Sequence, residues 1–172
     1  ASVDKLLSSI KLDSEALTYT LAITYRPNEK LQINGLLSSG FRNPNIDDIG
    51  KIRENNGILL VPNSFLKPEY AYTFESGIKI RSNNQKSYFD LRGFSTLVSR
   101  HIVRSNFIVF SDTSTEDQNT IIYNGDEVLT QANKNLGNRF IYGLCLEGKL
   151  SLGSLMKLYG GVNFTSSDKN SD

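Results

Sequence analysis

Six stretches of this chain alternate apolar and polar residues with a period of two, the repeat of a β-strand buried on one face. Between Ala16 and Tyr25, Leu17, Tyr19, Leu21, Ile23 and Tyr25 alternate with Thr18, Thr20, Ala22 and Thr24. Lys30 to Phe41 sets Leu31, Ile33, Leu37 and Phe41 against Gln32, Asn34, Ser38 and Arg42. Tyr70 to Ile80 sets Tyr70, Tyr72, Phe74, Ile78 and Ile80 against Ala71, Thr73, Glu75 and Lys79. Ser87 to Val98 alternates Phe89 and Leu91 with Tyr88, Asp90 and Arg92. Arg139 to Glu147 opposes Phe140, Tyr142, Leu144 and Leu146 to Ile141, Gly143, Cys145 and Glu147, and a last strand is predicted over Met156 to Phe164. The opening fifteen residues fit either an amphipathic turn of helix or a strand, and the tail from Ser166 to Asp172 reads as polar and mobile.

The connections alternate in length. Pro27-Asn28-Glu29, Ser82-Asn83-Asn84-Gln85 and Ser151 to Ser154 read as short turns. The connections after Arg42 and from about Arg104 to Asn138 are long and polar, the second with a hairpin tip at Tyr123-Asn124-Gly125-Asp126. Long loops are uncommon in a compact soluble domain, whereas membrane barrels carry short turns on one side and long loops on the other. The pattern therefore predicts an all-β fold, an antiparallel up-and-down meander of about six strands from a larger transmembrane β-barrel, with its long loops on one side. Arg42, Asn45, Glu69 and the 104–138 loop fall on the extracellular side in this reading.

Aromatic placement agrees. Phe41, Tyr70, Tyr72, Phe140, Tyr142 and Phe164 fall at outer strand ends of the apolar face, Tyr25 and Phe89 at inner ends, as two interfacial girdles require. A two-residue turn at Asn83-Asn84 would set Glu75 opposite Arg92 as a structural pair and Ile78 opposite Phe89. Such opposed charges contribute roughly 0.2 to 1 kcal/mol.

Composition adds little that is specific. The 172 residues carry a formal net charge of +1, so bulk charge makes no case for nucleic acid. Hydrophobic content is 38%, low for a globular core and suited to strands apolar on one face. Cys145 is the only cysteine, which excludes an intrachain disulfide. No apolar run reaches the roughly 18 residues of a spanning helix, which leaves strand-built spans open. Ala1-Ser2-Val3-Asp4-Lys5 has no signal-peptide pattern, so the chain is expected to be processed or internal to a longer protein.

Phe41-Arg42-x-Pro44-Asn45, then Pro62-Asn63-x-x-Leu66-Lys67-Pro68-Glu69 and a short alternating strand, resembles the barrel of TonB-dependent outer-membrane receptors. The strand ending near Val103-Arg104, Gln131-Ala132-Asn133 leading to Ile141-Tyr142-Gly143, and Leu158-Tyr159-Gly160-Gly161-Val162-Asn163-Phe164 extend the resemblance from about Ala16 to Thr165. It implies a share of a roughly 22-stranded barrel that is plugged by an N-terminal domain. Such receptors import ferric siderophores, haem, cobalamin or other scarce nutrients with energy from the TonB complex. The implied location is the bacterial outer membrane. The implied partners are the lipid bilayer, the TonB complex through the plug, and a small iron-complex ligand. No plug segment or energy-coupling box is matched, so residues 1–172 are expected to be a part of the barrel, and two unpaired edges would favour self-association.

The resemblance places Arg42 at the outer mouth, where it could contact an anionic ferric chelate or pair with a neighbouring carboxylate and fix the loop. Asn43, Asn45, Asp47 and Asp48 either line the entrance or form turns beside Pro44. Asn63 and Glu69 either contact ligand or brace the restart of the strand. The haem-uptake branch is expected to carry a histidine between its two boxes. Positions 45 to 62 have none, which favours a siderophore, and the sole histidine, His101, reads as a loop residue. Ser99 lies two residues from His101, but neither a supporting acid nor oxyanion donors are identifiable, so no enzyme is expected. No metal-ligand spacing, phosphate loop or nucleic-acid stripe is present, and no cofactor is expected. The alternatives are an importer of carbohydrate or another nutrient, and a soluble β-sandwich adhesin or binding module. The sandwich requires the Leu17, Tyr19, Leu21 face to meet the Phe140, Tyr142, Leu144 face in a dry core.

Overall fold

β-branched and aromatic residues at alternate positions favour the pleat, and the strands form where that alternation is sustained. The computed structural model describes residues 15–109 and 119–168. In chain order its elements are β1 (Thr20–Tyr25), β2 (Leu31–Arg42), α1 (Ile46–Ile49), β3 (Arg53–Asn55), β4 (Ile58–Leu60) and β5 (Glu69–Arg81). β6 (Tyr88–Ser99), β7 (Ile102–Asn106), β8 (Thr120–Tyr123), β9 (Asp126–Asn135), β10 (Asn138–Leu152) and β11 (Met156–Ser167) follow. The described residues divide into two compact units: 17–41, 70–99 and 138–168, and 15–16, 42–69, 100–109 and 119–137. The readings for residues 1–14, for the 169–172 tail and for 110–118 lie outside the described residues.

The first unit is a six-stranded antiparallel sheet in the order β1-β2-β5-β6-β10-β11, a meander in chain order. All six predicted strands are present, and β10 and β11 run further than predicted, through Leu152 and Ser167. They do so because Gly153, with φ 64°, turns the chain tightly enough for Leu152 to pair with Met156.

Register aligns like with like. Ile78, Leu91, Leu146 and Val162 share one cross-strand row, and Lys79, Asp90, Glu147 and Gly161 the next. Every charged residue of β5, β6, β10 and β11 within this unit lies on one face: Glu75, Lys79, Arg81, Asp90, Arg92, Arg139, Glu147, Lys149 and Lys157. Gln32 of β2 joins that face by accepting from Arg81 Nη2 at 2.8 Å. The opposite face is apolar and open, with Ile23 69%, Phe74 53%, Leu144 54% and Val162 68% exposed. Phe41 and Tyr70 stack on it, ring centroids 6.4 Å apart. Leu17, Tyr19, Leu21, Phe140, Tyr142 and Leu144 are all exposed as well. The dry core that a sandwich would need is therefore not formed by these faces.

One expected pairing is corrected. Glu75 stands opposite Phe94 and Arg92 opposite Gly77, while Ile78 pairs with Leu91 and Ile80 with Phe89. The β-turn does centre on Asn83-Asn84, with Gln85 N donating to Ser82 O at 2.9 Å. Gln85 then adopts φ 55°, and Lys86 follows before Ser82 N closes on Ser87 O. The added pair of residues moves the register by two. Both charges keep their face, because side chains alternate with period two, but they lose each other.

Gly143 on β10 is required by close approach: a Cβ there would stand 2.7 Å from Phe94 Cε1 and nearer still to the Phe164 carbonyl. Gly143→Val is expected to destabilise the sheet by about 3 kcal/mol, read as a lowered urea midpoint. Gly160→Ala, where a Cβ meets nothing within 4 Å, is the matched control and should shift it little.

The second unit replaces both supposedly irregular connections with structure. Its sheet has the order β3-β4-β9-β7, with β8 also beside β9 and the β4–β9 pair parallel. Asn56-Gly57 (φ 53° and 75°) turns β3 into β4, and Asn124-Gly125 (φ 53° and 96°) turns β8 into β9 at the predicted tip. Both are the positive-φ pairs that tight hairpins demand. Ile49, Leu66 and Ile102 cluster as its buried core. Thr130, fully buried, gives its hydroxyl to the carbonyls of Phe107 and Asn119.

Candidate functional site

Glu69, the first residue of β5, is 8% exposed, and its carboxylate is the centre of the second unit's polar cluster. Glu69 Oε1 accepts from the Ile102 backbone N–H and from His101 Nδ1 at 2.9 Å. Glu69 Oε2 accepts from Arg42 Nη1 at 3.1 Å. Arg42 also pairs through Nη2 with Asp48 Oδ2, spreading one guanidinium over two carboxylates.

The local sequence explains how Asp48 is held. Asn45 caps the single helical turn α1: its Oδ1 accepts from Asp48 N at 2.8 Å, and Asp48 Oδ2 accepts from Asn45 N at 3.0 Å. That reciprocal capping box satisfies donors left free at a helix start. Asn133 of β9 then donates through Nδ2 to Asp48 O at 3.2 Å. Asn63 Nδ2 donates to Asn133 O at 2.8 Å and Asn63 Oδ1 accepts from Phe65 N at 3.0 Å. Asn135 closes the set, accepting from Lys67 N at 2.7 Å and donating to Lys67 O and Arg100 O.

Arg42, Asn45, Asp48, Asn63 and Glu69 thus share one network, in which each side chain has an assigned bracing contact. Asn43 is exposed and Asp47 stands apart, its Oδ1 3.7 Å from Lys51 Nζ on the surface. The Arg42 side chain is 49% exposed, and Asn43 and Asp47 lie nearby in sequence. His101, Asn133 and Asn135 were not legible as members. The hydrogen bond from His101 to Glu69 spans 32 residues, and no local pattern marks it.

The polar face of the first unit carries a separate charge network. Asp90 lies 3.3 Å from Lys79 and 3.5 Å from Arg92, and Arg92 reaches Glu147 at 2.9 Å. Gly77 makes room for Arg92, whose Cγ would be 2.7 Å from a Cβ there. Among the described residues no cluster of histidine, cysteine and carboxylate groups suited to a metal ion occurs.

A family model described as "TonB dependent receptor-like, beta-barrel" matches residues 2–172. The hemoglobin and hemoglobin-haptoglobin-binding protein of Haemophilus ducreyi is 26% identical over 163 residues, which cover 92% of this chain and 16% of that protein. The siderophore receptor PirA of Acinetobacter baumannii superposes with a TM-score of 0.69 at 19% identity, over 90% of this chain and 23% of its own. A variant of the ferric enterobactin receptor PfeA of Pseudomonas aeruginosa, bound to enterobactin, gives 0.68 at 16% identity, over 90% and 22%. A double mutant of the Serratia marcescens hemophore receptor HasR, in complex with its hemophore HasA and heme, gives 0.65 at 19% identity, over 88% and 22%. The chain therefore spans about a sixth of this curated relative and under a quarter of each of these three solved neighbours.

Proposed function

This chain belongs to the TonB-dependent receptor β-barrel family, and from that membership we infer that it forms part of the wall of an outer-membrane importer of iron complexes. One observation carries the reading. The charged residues of β5, β6, β10 and β11 in the sheet unit lie on one face, and the other face exposes Ile23, Phe74, Leu144 and Val162. A sheet with one charged and one open apolar face suits a wet lumen on one side and hydrocarbon on the other. In a soluble protein the apolar face would drive association.

The lipid bilayer covers the apolar face in this reading. A plug domain closes the lumen and couples transport to the TonB complex. The ligand is a ferric siderophore, consistent with the lack of histidine between positions 45 and 62. The exposed half of Arg42, with Asn43 and Asp47, supplies first contacts at the outer mouth, while Asn45, Asp48, Asn63 and Glu69 hold Arg42 and its surroundings in place. A second reading, haem uptake, is favoured by the hemoglobin-binding relative. Deleting the gene and measuring uptake of radiolabelled iron supplied as siderophore complexes or as haemin tests both. Siderophore iron should stop entering the deletion strain, and haem uptake should persist. Loss of haem uptake alone would select the second reading, and unchanged uptake of all complexes would overturn the importer.

A further inference from the structure

Toward the short-turn end, the apolar face of the sheet unit carries an open groove of about 730 Å³. Its floor is the pair Gly148 and Gly160, which stand opposite each other on β10 and β11 and continue the Phe89 row of β6. Leu146 and Val162 form the row on one side of that pair, and Leu150 and Leu158 the row on the other. The two glycines therefore leave a gap between larger apolar side chains. A Cβ on Gly160 would meet nothing within 4 Å, and one on Gly148 only the Tyr88 carbonyl at 3.7 Å. One end of the groove is polar, where Ser82 and Ser87 line it beside the β5–β6 turn. Ser87 Oγ accepts from Ser151 N at 3.0 Å, which leaves its own proton for another acceptor.

The charges around that end are nearly all of one sign. Residues 26–30, 81–88 and 149–157, the short turns and their flanks, hold Arg26, Lys30, Arg81, Lys86, Lys149 and Lys157 against Glu29. Lys30 and Lys86 are exposed in the turns themselves, and neither has a carboxylate partner among the described residues. The Lys30 carbonyl accepts from Arg81 N at 2.7 Å, which sets the two turns side by side. An apolar trough with a hydroxyl at one end and ammonium groups beyond it matches an acyl chain, a glycerol ester and an anionic head in that order. Basic residues at a membrane surface attract anionic lipid, and a lysine stem can lie along apolar surface while its ammonium reaches a phosphate. We propose that this short-turn rim binds an anionic phospholipid of the leaflet opposite the long loops. One acyl chain lies over Gly148 and Gly160, and the phosphate meets Ser87 and Lys86, with Lys30 alongside. The proposal rests on the lipid-facing wall of the importer reading and adds to it one particular lipid at one place.

Native mass spectrometry of the purified intact receptor, released from micelles supplemented with phosphatidylglycerol or with phosphatidylcholine, reads the lipid that stays bound. Phosphatidylglycerol should be retained where phosphatidylcholine is lost. Lys86→Gln should weaken that retention about fivefold, the factor that one basic residue supplies beside an anionic lipid surface. Gly160→Leu, which fills the groove and leaves Lys86 in place, should abolish it. Both variants are checked for folding by circular dichroism, and Lys51→Gln, in the other unit, should leave retention unchanged. Equal retention of the two lipids by the wild-type receptor, loss of both included, or unchanged retention in either variant would overturn the lipid site while the membrane wall stands. A receptor that stays monodisperse in buffer without micelles would remove the membrane wall, and the site with it.

Discussion

Leu144→Arg should cost about 2 to 4 kcal/mol of folding stability in a bilayer, the penalty of a cation on the lipid face near mid-membrane. Leu144 is 54% exposed, lies within one residue of the middle of β10 (Asn138–Leu152) and faces Gly93 and Phe164 across the neighbouring strands. Asn163→Arg is the control. Asn163 is exposed, on the adjacent strand and on the charged face, opposite Cys145. There an arginine meets the Glu147 side of the wall and water, so its cost should stay within about 0.5 kcal/mol. Urea titration of the receptor in phospholipid vesicles separates the two. Equal costs would mean that the apolar face does not meet lipid.

Glu69→Ala is expected to loosen the second unit by about 3 to 5 kcal/mol, the scale for breaking a buried charge network on one side. The loss leaves the Ile102 N–H without its acceptor in a buried position, and removes one of the two carboxylates that hold Arg42. Hydrogen exchange should accelerate across residues 42–69 and 100–109, while amides of β10 and β11 keep their protection. Glu69→Gln, which keeps an oxygen for Ile102, should fall between the two. Asp47, whose only ion pair among the described residues is the exposed 3.7 Å contact with Lys51, gives the opposite expectation. Surface pairs of that kind contribute about 0 to 1 kcal/mol, so Asp47→Asn should leave exchange unchanged. Accelerated exchange confined to Asp47→Asn would show that the cluster is not what holds the unit together.

The family resemblance and the hydrophobic period pointed to the same architecture, and for a physical reason. Side-chain direction in a strand depends only on whether a position is odd or even, so the faces of Tyr70 to Ile80 and of Phe140 to Leu146 were readable without knowing any partner. That parity survives a register shift of two. Glu75 and Arg92 were therefore placed on the correct face and yet paired wrongly. Gln85, in the left-handed region, lengthened the turn, and nothing in Asn83-Asn84 announced it. The Asn56-Gly57 dipeptide did carry a hairpin signal, but three-residue strands on either side are too short for alternation to show.

Local order thus decided which residues form strands, which face is apolar and where the tight Asn-Gly turns fall, because each depends on neighbours a few positions away. Tertiary structure alone decided which distant groups meet. Glu69 finds Arg42, His101 and Ile102, and Arg81 lines up with Lys149, through pairings that span 27 to 68 residues. Such meetings depend on turn lengths summed along the chain, and a shift of two residues in one turn regroups every charge beyond it without moving any of them to the other face.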